Sequence, residues 1–129
     1  METTKMPTSR EIYVEADGKR LAAVQQYRVR GSRTAKSVDA IGSNTAIALV
    51  TGKTSYELEL KKVMLSREYD PVDVYELSNF VVMIVKPDRR IVYSGCEWKE
   101  IEETLELGEP CFERMVLSAS KRMVLEAQA

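Results

Sequence analysis

Over residues 54–65 apolar and polar side chains alternate, the period of a β-strand with one buried face. Tyr56, Leu58 and Leu60 point one way, while Ser55, Glu57, Glu59 and Lys61 point the other. The same period runs through residues 11–16, where Ile12, Val14 and Ala16 share a side, and Asp17-Gly18-Lys19 then supplies a tight turn. A return strand over 21–30, burying Leu21, Ala23, Tyr27 and Val29, completes a hairpin. Residues 80–85 form a continuous apolar run, as in a central strand covered on both faces. Pro87-Asp88-Arg89 turns that run into a partner strand over 90–96. Residues 97–107 read as another strand, with Trp98, Glu100 and Glu102 opposed to Lys99, Ile101 and Glu103. Gly108-Glu109-Pro110 is a turn, and 111–122 a last strand whose Cys111, Met115, Leu117 and Ala119 are mixed between faces.

Two stretches depart from this pattern. Residues 31–49 read as a long inter-strand loop, because 31–43 are rich in Gly, Ser, Thr and charge and hold no sustained period. Loops of that length in a small domain tend to be functional or to order against a partner. Within the loop, 45–50 is apolar and fits either a short strand or a contact segment. Asp70-Pro71 has the chemistry of a helix start, with a capping carboxylate, proline at the first helical position and Asp73 in the first turn. Val72, Val74 and Tyr75 would face the core before Ser78-Asn79 ends the helix. Residues 1–10 read as a flexible arm, 11–123 as one domain and 124–129 as a tail. The expected fold is therefore mainly β: a small antiparallel β-sandwich or partly open barrel with one short flanking helix. Its edge strands lack the prolines that block edge-to-edge pairing, so an edge open to a neighbour is expected.

Composition narrows the chemistry. The chain has no histidine, which removes the commonest general base, the usual metal ligand and every Ser-His or Cys-His pair. Its carboxylates fall at strand positions that face solvent, so no enzyme, cofactor or metal is expected. Cys96 and Cys111 lack CxxC spacing and read as reduced residues of the core or its wall. No apolar run nears the ~20 residues of a membrane span, and the N-terminus lacks an apolar signal segment. Gly52-Lys53-Thr54 looks like the end of a phosphate-binding loop. That loop needs a glycine five residues earlier and a helix afterwards, whereas position 47 is Ile47 and a strand follows. The triplet is a turn entering a sheet.

The net charge of −1 hides an asymmetry. Up to Lys36 eight Lys or Arg stand against four Asp or Glu, while Glu97, Glu100, Glu102, Glu103, Glu106 and Glu109 crowd the later part. A nucleic-acid binder would carry a clearly basic domain. Opposite charges at two ends suit a chain that meets copies of itself; ordinary solvated faces are the plainer alternative.

The hairpin around Asp17-Gly18-Lys19-Arg20-Leu21-Ala22-Ala23-Val24, the polar loop, the Thr51-Gly52 turn and the Leu58-x-Leu60-x-Lys62-Val63 strand resemble the tail-tube proteins of contractile-tailed phages and phage-like particles. Ile91-Val92-Tyr93-Ser94-Gly95-Cys96-Glu97-Trp98 is similar to the same proteins, including relatives at the baseplate end of the tube. The likeness covers roughly residues 12–122. It implies a structural protein that forms hexameric rings, stacked as a tube through which DNA passes without sequence preference. Its implied partners are other copies of itself and the tail sheath, tape-measure and baseplate proteins. The implied location is the bacterial cytoplasm during assembly and then the particle's tail. A baseplate or tube-initiating adaptor is the alternative role. The resemblance supplies no catalytic residue. It suggests that Ser55, Glu57, Glu59 and Lys61 face the lumen, where acidic groups would repel phosphates. It also suggests that Arg28, Arg30, Arg33 and Lys36 meet Glu100, Glu102, Glu103 and Glu106 of a neighbour, with the 31–43 loop and the N-terminal arm joining ring to ring.

Overall fold

The computed structural model describes residue 8 and residues 10–126. Eight strands appear among them: β1 (Tyr13–Ala16), β2 (Lys19–Arg20), β3 (Val24–Val38), β4 (Ala48–Val63), β5 (Phe80–Val85), β6 (Arg89–Thr104), β7 (Phe112–Ala119) and β8 (Lys121–Glu126). All pair antiparallel, in two packed layers. The first sheet runs β2-β1-β5-β6-β8, and the second runs β6-β7-β4-β3. Strand β6 serves both. Its residues 89–94 lie between β5 and β8, and its residues 97–104 pair with β7.

The chain passes from one layer to the other at a corner built by Gly95 and Ser120. Ser120 donates to the carbonyl of Ser94 through its backbone N (3.0 Å) and its Oγ (3.2 Å). Gly95 has φ +63, and a Cβ there would lie 2.1 Å from Ser120 Oγ, so glycine is what lets the two bends nest. Asp17, with φ 49, and Gly18 make the β1–β2 turn expected of Asp-Gly.

Inward-facing residues follow the two-residue period. Val14, Phe80, Val82, Ile84 and Tyr93 of the first sheet pack on Leu58, Leu60, Met115 and Leu117 of the second, all buried. Tyr56 meets Tyr93 edge-on at 5.9 Å between ring centres. Each such side chain contributes about 1.5–3 kcal/mol by leaving water, which holds the layers together without a disulfide; both cysteines are free thiols.

The return strand of the first hairpin is only Lys19–Arg20, and β3 lies in the other sheet against β4; three further expectations need correction. Residues 31–49 are mostly strand: β3 and β4 stay paired out to Val38 and Ala48, leaving only 39–47 as a connection. This ribbon runs beyond the last partner that β7 offers, at Tyr56, and residues 30–55 are all exposed. Each strand satisfies the other's backbone, yet neither face meets a core, so no apolar alternation marks it in the sequence. Second, the helix over 70–78 reduces to a 3-10 turn, Val74–Glu76, capped by Asp73, which accepts from Tyr75 N at 3.2 Å. Asp70 is instead buried and ion-paired with Lys62. Third, the tail expected over 124–129 is strand to Glu126, paired along β6, while 127–129 lie outside the described residues. The proposed arm at 1–10 also lies outside them, apart from Thr8 and Arg10.

Candidate functional site

The outer face of the second sheet carries charges sorted strand by strand. On β3, Arg28 and Arg30 stand opposite Glu59 and Glu57 of β4 in the register. Across the next junction, Arg114 of β7 donates from Nε to Glu59 at 2.5 Å. Arg114 also lies 3.6 Å from Glu100 and 3.7 Å from Glu102 of β6. Lys99 reaches Glu57 at 3.2 Å. The order across the sheet is thus mainly basic β3, acidic β4, basic β7 and acidic β6. The hydrogen bond from Arg114 holds the Glu59 carboxyl below its usual range. Single exposed pairs of this kind contribute only about 0–1 kcal/mol. Their value lies in which strand they let sit beside which.

The structure brings Ser55, Glu57, Glu59 and Lys61 onto this one outward face, with Lys61 Nζ 4.8 Å over the Phe112 ring. Arg28, Arg30, Glu100 and Glu102 lie on the same face, at its two margins. Arg33 and Lys36 are farther out, on the projecting ribbon, opposite Thr54 and Val50. Glu103 is turned to the other side, where it accepts from the Tyr75 hydroxyl at 3.3 Å. Glu106 sits in the turn after β6. Arg114, the hub of the lattice, was hidden in a strand whose residues could not be assigned to faces from sequence. Lys99 was placed on the wrong side because a bulge between Trp98 and Glu100 shifts the parity there.

Both margins of this sheet are open. Among the described residues, the far side of β3 pairs with no strand, and the 97–104 half of β6 pairs only with β7. Beyond Arg33 the β3–β4 ribbon projects with Leu49 71% and Ile41 108% exposed. A bulge starts that projection: four residues of β4, from Thr54 to Thr51, face three of β3, from Arg33 to Ala35. Gly52 sits in it, and a Cβ there would come 2.4 Å from Thr34 Oγ1. Gly52-Lys53-Thr54 is therefore a bend in a ribbon, as the absence of the rest of the phosphate loop implied.

Inside, a second charged group closes one end of the sandwich. Lys62 and Glu113 are cross-strand partners 3.6 Å apart, and Asp70 covers them from the 64–73 connection. All three are buried, and among the described residues Asp70 Oδ1 has no hydrogen-bond partner. Burial pushes the Glu113 carboxyl up, against the pull of Lys62. Cys96 is buried, donates to the Tyr93 carbonyl at 3.3 Å and has its thiol pushed up to about 11 by burial, which makes it a packing residue. Among the described residues no group of three or more His, Cys, Asp or Glu is placed to hold a metal ion, and no helix is long and apolar enough to cross a membrane.

No family model matches the chain, and no curated protein sequence matches it. Solved structures do. A chain from the tail of an empty gene transfer agent particle, refined with C6 symmetry, superposes with TM-score 0.72 at 9% identity, covering 95% of this chain and 100% of that one. A chain of the sheath/tube terminator of an extracellular contractile injection system gives 0.73 at 9%, covering 99% and 100%. A chain of the six-fold-symmetrised anti-feeding prophage baseplate gives 0.70 at 12%, covering 98% and 100%. At these identities the likeness establishes a shared fold, end to end.

Proposed function

We propose that this chain is a structural subunit of a phage or phage-like contractile tail, joining head to tail into six-membered rings that stack as the inner tube. The observation that carries the reading is the pair of open margins on the second sheet. Its four strands alternate in direction, so β3 of one copy and β6 of the next meet antiparallel, and the sheet continues without a break. Signs match as well as directions. Every junction inside the chain sets a basic strand against an acidic one, and Arg28 and Arg30 against Glu100 and Glu102 repeats that order at the joint. Backbone pairing supplies the affinity of such a joint, and the charges fix its partner.

In such a ring the charged face lines the lumen, with Glu57 and Glu59 set among Arg28, Arg30, Lys99 and Arg114. DNA would meet charges already engaged with one another, and slide without a basic groove to hold it. The ribbon beyond Arg33 is the contact to the ring above or below, its Ile47, Leu49 and Val50 covered there by another copy. Sheath, tape-measure and baseplate proteins would complete the particle. The fold likeness to a baseplate chain supports a second reading, a ring that starts the tube and does not propagate it.

Charge reversal tests the joint. Arg28→Glu with Arg30→Glu should abolish ring formation in negative-stain images, and adding Glu100→Arg with Glu102→Arg should restore it. If the two-residue variant assembles like the unaltered protein, the β3–β6 joint is wrong.

A further inference from the structure

Beside the first residues of β3 the sandwich has an open mouth. Two adjoining hollows of about 320 and 520 Å³ share Ile12, Tyr13, Val14 and Val24 in their walls. Arg20 lines the larger one, its guanidinium 4.4 Å over the Tyr13 ring. At the opposite margin of the second sheet, β6 runs out into a turn whose Leu105 and Leu107 are 73% and 104% exposed. That turn is fixed by Gly108 (φ +83) and by a hydrogen bond from Glu109 N to the Glu106 carbonyl, 3.0 Å. Two leucines held out in water on an ordered turn are an unfavourable arrangement for an isolated chain.

The register relates the two features. Thr104 at the end of β6 is level with Phe112, Phe112 with Val63, and Val63 N bonds the Ala23 carbonyl. The end of β6 and the start of β3 therefore stand at one height, on opposite margins. We infer that, when β6 of one copy pairs with β3 of the next, its Leu105 and Leu107 enter the hollow walled by Ile12, Val14 and Val24 of that next copy. The occupant is a second copy of this chain, and the inference rests on the head-to-tail ring proposed above. Glu106, between the two leucines, meets Arg20 at the rim, so charge as well as shape matches. The hollows extend along β3 to Tyr27, so a slip of two residues at the joint keeps the leucines inside.

The contact is read by cross-linking. In a Cys111→Ser background, full-length protein carrying Ala22→Cys and Leu107→Cys should give a ladder of chain multiples on oxidation, and neither cysteine alone should. Leu105→Ser with Leu107→Ser alters only exposed positions, so the monomer should fold normally while the concentration needed for assembly rises about tenfold or more. Rings that form with no ladder, and at an unchanged concentration in the serine variant, would overturn this seating and leave the ring intact. Failure of the unaltered protein to form rings at all would overturn the ring and the seating together.

Discussion

Strands β3 and β4 make one continuous ribbon, yet its two halves live in different surroundings. In the body Leu58 and Leu60 are 0% and 3% exposed, whereas Leu49 and Val50 on the projecting half are 71% and 56% exposed. These four side chains are alike in type and both halves are paired along the backbone; only the surroundings differ. A two-stranded ribbon with no sheet or core behind it is marginal in water. The body half is therefore stabilised by the fold, whereas the projecting half is covered only in the assembly proposed above.

That contrast sets the expected effects of mutation, the largest first. Leu58→Ala should cost the isolated chain about 2–5 kcal/mol in urea unfolding, because it leaves a cavity between the sheets. Leu49→Ala should stay within about 0.5 kcal/mol of the unaltered chain in the same experiment and weaken stacking instead. If Leu49→Ala destabilises the monomer as much as Leu58→Ala, the ribbon is packed within one chain and the comparison fails.

A smaller effect comes from the buried end of β4. Burial raises the folded pKa of Glu113 above its ordinary 4.5, so the folded chain holds that proton over a range where the unfolded chain has released it. Stability from this group is present at low pH and declines as pH rises through the raised value. Glu113→Gln should therefore flatten the fall of the thermal midpoint between mildly acid and neutral pH, and gain on the unaltered chain as pH rises. Parallel midpoint curves for the two proteins would show that Glu113 does not set this slope.

The same contrast explains what could be read from the sequence. Strand β4 was legible from Ser55 onward because a buried face imposes alternation, and β5 because two covered faces impose an apolar run. The projecting ribbon and β8 carry no such imprint. Their residues are exposed, so Val38, Leu49 and Met123 have no periodic arrangement to betray a strand. The misread helix failed for a different reason. The local chemistry at Asp70-Pro71 is sound, but buried Lys62 claims Asp70, and the tertiary contact overrides the cap. On the charged face the alternation placed Glu57 and Glu59 on one side of β4, but over 97–107 it grouped Glu100 and Glu102 with Trp98, which stands opposite buried Leu117. The bulge at Lys99 and the mixed faces of β7 concealed Lys99 and Arg114. No periodicity argument passes through a bulge unchanged.

The central claim is that open, oppositely charged margins of one sheet close copies of this chain into a ring. Negative-stain microscopy of the purified full-length protein over a rising concentration series tests it most directly. The account predicts annular particles with six-fold averages, lengthening into tubes at high concentration. A chain that remains monomeric in the images and in sedimentation across the whole series would contradict it.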